Sequence, residues 1–483
     1  MVMTDHVART TQRRAEPDLR GARALVMGLG TRQGGVGVAR YLVAQGAEVT
    51  VTDLRTEADL VPALEELAGL PIRYVLGEHR AEDFERADLV VRNPAVPLDS
   101  PWLQRARAAG ARIEMEMSLF FRACPAPIVG ITGTKGKTTT ATLCAGILRV
   151  ARPDTVLAGN MGTSTLDALP GIRPDTPVVI ELSSWQIEGL AEHGLSPHVA
   201  VITNISEDHL NRYPSMAAYV EAKRQIARYQ GPDDWLVLNR DDPLAWESRS
   251  AGAGRVVPFG MAGDAPAGAF RDGDRLVWRW DGSEVELLRR DEFPLPGDHA
   301  VANALAAAAA AILAGADPAQ VRTGLLAATP VPHRQEIVAT IDGVCYVNDT
   351  AATAPAAAVA ALDTFRGRPL VLIAGGAAKG ADLGPMARRV AAEASAVVLL
   401  DGTATPDLHA RLRDAGAARI SGPHRSMEDA VRAAAELATP GGVVLLAPGC
   451  ASFGLFRDEF ERGEAFRAAV RALAGAARRE GEP

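Results

Sequence analysis

Short apolar runs alternate with amphipathic stretches along most of the chain. The run ALVMG at residues 24–28 is followed by a glycine-rich turn, an amphipathic stretch and a second apolar run that ends at Asp53. This order predicts a strand, a helix and a second strand, which together form the βαβ unit of a parallel sheet. Further strand-like runs at residues 88–93 and 111–115 continue the pattern to about Met117.

Two later regions repeat this alternation. The run APIVGIT at 126–132 leads into a second glycine turn, and strand-like runs follow at 177–182 and 198–205 before an alanine-rich helix after Gly297. Beyond residue 330, an Asp342-Gly343 pair between two β runs predicts a hairpin, and three apolar runs at 369–376, 396–402 and 442–449 indicate a parallel sheet. We therefore predict an α/β protein of three domains, at residues 1–117 (with 1–22 as a mobile leader), 118–330 and 331–483.

Composition narrows the class of protein. The 483 residues are 47% hydrophobic and 23% charged, with a net charge of -8, which argues against a nucleic-acid partner because such proteins need a basic surface. The cysteines at 124, 144, 345 and 450 lack the spacing of a zinc site or a disulfide framework. We find no secretory signal and no apolar run long enough to span a bilayer, so a cytoplasmic protein without membrane insertion is expected.

The stretch GITGTKGKTTT at residues 130–140 carries the clearest chemical signal. Ile131 occupies the first glycine position of a strict P-loop, but Gly133, Gly136, Lys137 and Thr138 supply its working end. Backbone amides of such a turn cradle phosphate, the lysine reaches the β and γ phosphates, and the threonine hydroxyl suits Mg²⁺. For Lys135, contact with a nucleotide and simple solvation of the side chain are both open.

Polar residues follow two of the predicted strands. Glu181 ends one run, where a carboxylate beside a phosphate turn is placed to hold Mg²⁺, and Asn204, Glu207, Asp208 and His209 follow the next. His209 with its acidic neighbours favours a metal site over a structural histidine. Composition alone makes Lys223 a surface lysine of the following helix.

The first glycine turn breaks the dinucleotide signature. Gly28 and Gly30 are present, but Gln33 stands where the third glycine belongs, which disfavours an NAD-dependent oxidoreductase. A helix start at this turn still favours a diphosphate, and Asp53 at the next strand end could hold a ribose or base. A tight turn without any ligand is the alternative.

Taken together, the motifs GTKGKTT, ELSSWQ, TNISEDHLNRYP, AYVEAK, LPGDHAVAN, PHRQE, VNDTAAT and APGCASFGLF followed by ERG resemble the Mur ligases, in the family's order from about Gly28 to Phe466. The resemblance implies an N-terminal Rossmann-like domain for a UDP substrate, a central P-loop ATPase domain and a C-terminal Rossmann-like domain for an amino acid. It also implies an enzyme that uses ATP and two Mg²⁺ ions, a monomer being expected. The implied reaction adds D-glutamate to UDP-N-acetylmuramoyl-L-alanine through an acyl phosphate, in peptidoglycan precursor synthesis.

Residue roles carry over from the resemblance motif by motif. The implied catalytic residues are Lys137, Glu181, His209 and Lys223, and the implied metal ligands are Thr138, Glu181, His209 and Lys223 as a CO₂-derived carbamate. The implied ATP-binding residues are Gly133, Thr134, Lys135, Gly136, Lys137, Thr138, Thr139, Asn303, Arg334 and Asp349. The implied UDP-substrate contacts are Gly30, Thr31, Arg32, Asp53, Leu54, Arg55, Asn160, Ser183 and His209. The implied glutamate contacts are Thr353, Lys379, Ser452 and Phe460.

Departures from the family pattern keep alternatives open. Ala351 stands where the family commonly has a lysine, and Ala354 stands where it has an asparagine. The aromatic residue that the family has after SFGLF is shifted by one position, so that Glu459 occupies its place and Phe460 follows. Ala300 likewise replaces an asparagine. L-glutamate therefore remains open as the substrate. Another step of the same family is a further alternative, whereas a folylpolyglutamate synthase is disfavoured because it would not be expected to keep a full nucleotide-sugar domain before the P-loop. A P-loop switch that binds nucleotide without ligation is the alternative of another class.

Overall fold

The computed structural model describes residues 18–30, 33–161, 164–207, 212–263, 265–378 and 381–480, without the side chains of residues 33 and 476–480. The chain divides into two compact units, the first ending at Ala328 and the second beginning at Thr329. The first unit contains two β-sheets and the second contains one. These sheets confirm the predicted mixed α/β fold.

Five described strands form the first sheet. Its elements in chain order are β1 (Arg23–Met27), α1 (Gln33–Ala44), β2 (Glu48–Asp53), α2 (Glu57–Glu66), β3 (Ile72–Leu76), α3 (Ala81–Arg86), β4 (Leu89–Arg92), α4 (Pro101–Ala108), β5 (Arg112–Glu114) and α5 (Glu116–Ala123). The strands are parallel and lie in the order β3-β2-β1-β4-β5. The order reverses at β1, so the turn after β1 lies at a topological switch point, where open α/β sheets bind ligands.

The second sheet continues the first unit. Its elements are β6 (Ile128–Thr132), α6 (Lys137–Arg149), β7 (Val156–Gly159), β8 (Val178–Glu181), α7 (Ser184–Glu192), β9 (Val199–Ile202), α8 (Met216–Arg224), β10 (Trp235–Asn239), α9 (Pro243–Trp246), β11 (Arg255–Gly260), β12 (Gly268–Asp272), β13 (Arg275–Trp280), β14 (Ser283–Arg289), α10 (Asp298–Leu313) and α11 (Pro318–Leu326). The described strands lie in the order β14-β13-β12-β11-β10-β9-β6-β8-β7, parallel from β7 to β12 and antiparallel beyond. The central strand β6 therefore ends between β8 and β9.

The alanine-rich helix α10 is core. Residues 304–311 are fully buried, because small side chains let this helix lie close to α6 and to the sheet. In α11, a Cβ atom on Gly324 would lie 2.6 Å from Ile147 Cα, so a second helix approaches α6 just as closely. None of the helices in the described part of the chain is long and apolar enough to cross a membrane.

The second unit holds one sheet with helices around it. Its elements are β15 (Glu336–Ile341), β16 (Val344–Asn348), α12 (Pro355–Thr364), β17 (Leu370–Gly375), α13 (Gly384–Glu393), β18 (Ala396–Leu400), α14 (Thr405–Asp414), β19 (Ile420–His424), α15 (Met427–Leu437), β20 (Val443–Leu446) and α16 (Glu459–Glu480). The described strand order is β15-β16-β20-β17-β18-β19, with only β15 antiparallel to its neighbour.

The hairpin between β15 and β16 is the one predicted from Asp342-Gly343. Both residues have left-handed backbone angles, with φ of 49° and 77°. A two-residue turn with positive φ at both positions matches the twist of the strands that it joins. The hairpin prediction is therefore confirmed.

Candidate functional site

The turn between β6 and α6 is built on two glycines. Gly133 has φ of 149° and Gly136 has φ of 81°, and both angles favour glycine. A Cβ atom on Gly133 would lie 1.9 Å from Thr203 Oγ1, and one on Gly136 would lie 2.2 Å from Asn303 Oδ1. The turn is therefore enclosed by the segment after β9 on one side and by α10 on the other.

Asn204 holds this turn by both its backbone and its side chain. The Thr134 amide donates to Asn204 O at 2.8 Å, and the Lys135 amide donates to Asn204 Oδ1 at 2.9 Å. Asn204 Nδ2 and Thr203 Oγ1 donate to Lys135 O, at 3.0 and 2.6 Å. The amides of Thr134 and Lys135 are thus engaged within the protein.

The amides at the start of α6 precede the hydrogen bonds within the helix. The first intrahelical hydrogen bond runs from Thr140 N to Gly136 O at 2.9 Å, so the amides of residues 137–139 precede it. N–H groups at this position have no intrahelical acceptor, and the helix dipole adds partial positive charge. Thr138 and Thr139 are half-buried in this first turn. The arrangement suits an anion, as the P-loop prediction requires.

The two lysines of the turn differ in exposure. Lys137 Nζ donates to Gly133 O and to Thr134 O, both at 3.1 Å, so the ammonium folds back over its own loop. The Lys135 side chain is exposed. Because the Lys135 amide already bonds to Asn204, any contact of this residue with a nucleotide would come from its side chain.

Glu181 lies beside the turn at the end of β8. It pairs in register with Ile131 on one side and with Gly159 on the other, and it is 2% exposed. Glu181 Oε1 accepts a hydrogen bond from Asn160 Nδ2 at 3.3 Å, while Oε2 is buried without a hydrogen-bond partner among the described residues. A buried carboxylate oxygen left in this state favours a cation, so the residue fits the predicted Mg²⁺ ligand.

Lys223 is buried, contrary to its composition-based reading as a surface lysine. It is 2% exposed in the last turn of α8, its Nζ donates to Gly133 O at 2.8 Å and it lies 4.6 Å from the centre of the Tyr219 ring. The amine is therefore held against the first residue of the phosphate turn.

A signal for Lys223 was present in the sequence and went unused. The chain has four lysines, Lys135, Lys137, Lys223 and Lys379, and every other member of its 51 Lys and Arg residues is arginine. Each lysine falls in a candidate site motif. A chain that otherwise uses arginine retains lysine where a compact amine is needed, since the two side chains differ in shape and chemistry.

Several predicted site residues lie outside the described residues: Thr31, Arg32, Asp208, His209 and Lys379. Within the described residues, no group of three or more His, Cys, Asp or Glu side chains is placed to hold a metal ion. Of the predicted metal ligands, the structure therefore describes Thr138, Glu181 and Lys223. It places the amine of Lys223 against the glycine turn that comes just before Thr138.

The turn after β1 brings Gly30 close to Asp53 at the end of β2. Asp53 Oδ2 accepts from the Gly30 amide at 3.2 Å and Oδ1 accepts from the Arg55 amide at 2.9 Å. Leu54 is 65% exposed and the Arg55 side chain is also exposed. Asp53 thus ties the turns after β1 and β2 to each other at the switch point of the sheet.

Three further predicted contacts also have structural partners. Ser183 caps α7, accepting from Gln186 N at 3.3 Å while Gln186 Oε1 accepts from Ser183 N at 2.9 Å. Asn303 Oδ1 accepts from Thr140 Oγ1 at 3.3 Å, which places it at the second turn of α6. Asn160, whose side chain is exposed, also donates its amide to Glu181 O at 3.0 Å.

In the second unit, a buried carboxylate follows β16. Burial raises the pKa of Asp349 to about 6, although the charge of Arg334 and a hydrogen bond from the Gln335 amide at 3.3 Å act in the opposite direction. Arg334 itself is exposed. A carboxyl whose pKa burial raises this far is unusual and is a feature of functional positions.

The predicted glutamate contacts of the second unit are unequal in burial. Ser452 is 3% exposed and its Oγ lacks a hydrogen-bond partner among the described residues, whereas Thr353 is half-buried. Phe460 is 49% exposed, and its ring lies edge-on to His333 with 5.8 Å between centres. Among the described glutamate contacts, the hydroxyl of Ser452 is thus the one that is buried and can still accept or donate a hydrogen bond to a ligand.

Sequence reasoning assigned no role to a buried cation in this unit, Arg462 of the ERG motif. It is 1% exposed, and its guanidinium donates to Thr350 Oγ1 and Thr350 O, both at 2.9 Å, and to Cys450 O at 3.2 Å. Burial lowers its pKa to about 10. Arg462 therefore adds positive charge next to the segments that carry Thr353 and Ser452.

Comparisons with known families cover all three sheets. The model described as "Mur ligase MurD-like, N-terminal domain" matches residues 22–114, "Mur ligase middle domain" matches 131–311, and "Mur ligase, glutamate ligase domain" matches 333–450.

Individual relatives agree over nearly full length. The UDP-N-acetylmuramoylalanine--D-glutamate ligase of Roseiflexus sp. (strain RS-1) is 55% identical over 461 residues, which is 94% of this chain and 99% of that protein. The protein of the same name from Symbiobacterium thermophilum is 43% identical, covering 93% and 98%.

Solved structures agree in fold. UDP-N-acetylmuramate-alanine ligase MurC from Thermotoga maritima has a TM-score of 0.59 at 22% identity, covering 94% of this chain and 100% of that chain. A pseudomurein peptide ligase type C from Methanothermus fervidus has a TM-score of 0.57 at 20% identity, covering 93% and 99%. At these identities the two structures establish likeness of fold alone.

Proposed function

Because the chain belongs to the Mur ligase family, we propose that it is an ATP-dependent ligase that joins D-glutamate to UDP-N-acetylmuramoyl-L-alanine. The observation that carries this proposal is the 55% identity, over 94% of the chain, to a relative named for this reaction. The product would be a precursor of peptidoglycan.

Each of the three sheets is assigned to one domain of the proposed enzyme. Residues 1–117 would form the Rossmann-like domain for the UDP substrate, 118–330 the P-loop ATPase domain and 331–483 the Rossmann-like domain for the amino acid. The switch point beside Asp53 supports the first assignment, and the glycine turn before α6 supports the second. A buried hydroxyl and a buried guanidinium, on Ser452 and Arg462, support an anionic ligand in the third.

The proposed reaction has two steps. The carboxylate of the L-alanyl group attacks the γ-phosphorus of ATP, so that an acyl phosphate forms and ADP leaves. The amine of glutamate then attacks the acyl carbon, an amide bond forms, phosphate leaves and the amine gives up a proton. Two anions, the carboxylate and the triphosphate of ATP, must approach each other in the first step, and positioned positive groups lower that barrier by several kcal/mol.

Residues at the glycine turn would meet the phosphates. The amides of Lys137, Thr138 and Thr139 supply donors, and Lys137 Nζ would exchange its two loop carbonyls for phosphate oxygens. Arg334 and Asp349 of the second unit and Asn303 of the first remain proposed nucleotide contacts by resemblance. The bond from Thr140 holds the Asn303 carbonyl oxygen, which leaves its amide group to meet a base.

Magnesium would be held by Thr138, Glu181, Lys223 as a carbamate and His209, with two ions proposed. Bound Mg²⁺ would neutralise charge on the transferred phosphoryl group. Glu181 fits because its Oε2 is buried and unsatisfied among the described residues. Lys223 fits if its amine, now directed at Gly133 O, takes up CO₂ and becomes an anion.

The carbamate has a direct spectroscopic test. We would supply ¹³C-labelled bicarbonate to the wild-type protein and record its ¹³C spectrum, expecting one carbamate resonance. Lys223→Ala should abolish the resonance and Lys135→Ala should keep it. With only four lysines in the chain, the assignment is direct. A resonance that survives Lys223→Ala would refute the assignment to this residue.

Phosphate release tests the proposed function. The purified protein would receive ATP, Mg²⁺ and UDP-N-acetylmuramoyl-L-alanine with D-glutamate, with L-glutamate or with no amino acid, followed by mass analysis of the product. We expect release that depends on D-glutamate and a product one glutamyl unit heavier. A preference for L-glutamate would trace to Ala351 and Ala354 and would refute the stereochemical part. Release without amino acid or product would favour a nucleotide switch instead.

A further inference from the structure

One carboxylate outside the proposed site, Glu116, joins the first sheet region to the second. It is the first residue of α5, and its Oε1 accepts from Ser164 Oγ at 2.7 Å, from Thr165 N at 2.7 Å and from Thr165 Oγ1 at 3.0 Å. Ser164 and Thr165 are 4% and 1% exposed. Three donors on one oxygen of a carboxylate make a strong, directional anchor.

Helix α1 packs closely against Glu116 and Ser164. A Cβ atom on Gly34 would lie 2.8 Å from Glu116 Oε2, and one on Gly37 would lie 1.9 Å from Ser164 Oγ. Substituting either glycine would force the two elements apart. The glycines that follow Gln33 therefore serve a second purpose besides the helix start, since they let α1 touch Glu116 and Ser164 directly.

The segment that Glu116 anchors also reaches the predicted metal ligand. Four residues before Ser164, Asn160 bonds to Glu181 through both its amide and its side chain. Asn160 is thus tied to Glu181, while Ser164 and Thr165 are tied to Glu116 and Ser164 packs against α1. Under the proposed function, the diphosphate of the substrate would lie at the start of α1 and its reacting carboxylate near Glu181.

We propose that Glu116 is a positioning residue that holds Ser164 and Thr165 against α1 and so sets the distance between the nucleotide end and the reacting end of the UDP substrate. This inference rests on the proposed function. Small displacements matter at such a position, because a 1 Å error in placing a substrate can cost about 10²-fold in rate.

Kinetic constants for each substrate separate positioning from simple loss of structure. For Glu116→Ala we expect KM for UDP-N-acetylmuramoyl-L-alanine to rise at least about tenfold, with KM for ATP and for D-glutamate within about twofold of wild type. Glu116→Gln should restore most of the loss, because an amide oxygen accepts the same three donors. An equal rise in all three KM values, or no rise, would overturn the proposal.

Asp167→Asn is the matched control. Asp167 accepts two hydrogen bonds from Arg40 of α1, at 2.8 and 2.9 Å, so it lies on the same contact, but both side chains are about two-fifths exposed. Exposed ion pairs of this kind contribute little. The variant should leave all three KM values unchanged. Should Asp167→Asn reproduce the effect of Glu116→Ala, any lost contact with α1 would suffice and the specific role of Glu116 would be refuted.

Two volume-conserving variants decide the question if Glu116→Ala does not fold. Ser164→Ala and Thr165→Val delete donors to Glu116, and each should raise KM for the UDP substrate about threefold. In the double variant Ser164→Ala/Thr165→Val the two effects should not add, because both hydroxyls donate to the same Glu116 oxygen and groups in one hydrogen-bond network couple. Fully additive effects would overturn the proposal.

Calorimetric binding of UDP-N-acetylmuramoyl-L-alanine without ATP separates this inference from the proposed function. If the wild-type protein does not bind this compound, the proposed function fails first. If the wild type binds it and Glu116→Ala binds equally well, only the positioning role of Glu116 fails. Weaker binding by Glu116→Ala, restored in Glu116→Gln, is the expected result.

Discussion

Replacing Gly136 with alanine tests the geometry of the phosphate turn. The φ of 81° at this residue costs an L-amino acid about 1–2 kcal/mol. The new Cβ would lie 2.2 Å from Asn303 Oδ1, so the Asn303 side chain must move and release the bond from Thr140 Oγ1. A lost hydrogen bond adds about 1 kcal/mol. We expect Gly136→Ala to lower the free energy of unfolding of the first unit by about 2–3 kcal/mol and to weaken ATP binding.

Gly146→Ala is the matched control in the same helix. A Cβ atom there meets no heavy atom within 4 Å, and Gly146 lies inside α6, where alanine is favoured over glycine by up to about 1 kcal/mol. The two substitutions are chemically identical but should change stability in opposite directions.

Urea unfolding followed by tryptophan fluorescence measures this difference in the full chain. All six tryptophans, at 102, 185, 235, 246, 278 and 280, belong to the first unit, so their signal reports its unfolding separately from the second. The midpoint should fall for Gly136→Ala and rise slightly for Gly146→Ala, with the slope unchanged. Equal midpoints for the two variants, or wild-type ATP affinity in Gly136→Ala, would refute the reasoning.

Three other substitutions test the remaining chemistry. Lys137→Ala should lower kcat/KM, because it removes transition-state stabilisation of several kcal/mol, while the midpoint of urea unfolding stays near wild type. Near-normal turnover of this variant would rule out the P-loop assignment. Lys223→Ala should cripple turnover, with partial recovery on adding short carboxylates, and a fully active variant would show that the buried amine has no catalytic part. For Asp349, the pKa near 6 exceeds the unfolded value near 4, so ionisation destabilises the folded state above about pH 6 and this penalty disappears as the pH falls towards 4. Asp349→Asn should therefore protect β16 from hydrogen exchange by up to roughly 3 kcal/mol at pH 7.5 and by nothing near pH 4; a pH-independent difference would contradict this.

Prediction from the sequence was strongest where one short segment carries its own rule. The glycine turn before α6, the Asp342-Gly343 hairpin and the strand that ends in Glu181 are confirmed as structural elements. Each depends on backbone preferences or on hydrophobic runs of a few residues, which the sequence displays directly.

Other elements escaped because their signals are ambiguous. The antiparallel strands β12 to β14 extend the second sheet although their sequence is rich in charge and in Asp-Gly turns, and five of the seven residues of β14 are exposed. Such strands form because a neighbouring edge is available for pairing, and strand propensity depends on that context.

The sequence by itself determined the α/β class, the turn chemistry and the motifs that identify the family. Only the tertiary structure decided that Lys223 and Arg462 are buried, that Asn204 takes up the amides of Thr134 and Lys135, and that Glu116 lies between Ser164 and α1. The physical reason is the distance along the chain over which each effect acts. Backbone preference acts between near neighbours in the chain, whereas burial and hydrogen-bond partners are set by distant segments, 48 residues apart for Glu116 with Ser164 and 112 for Arg462 with Thr350.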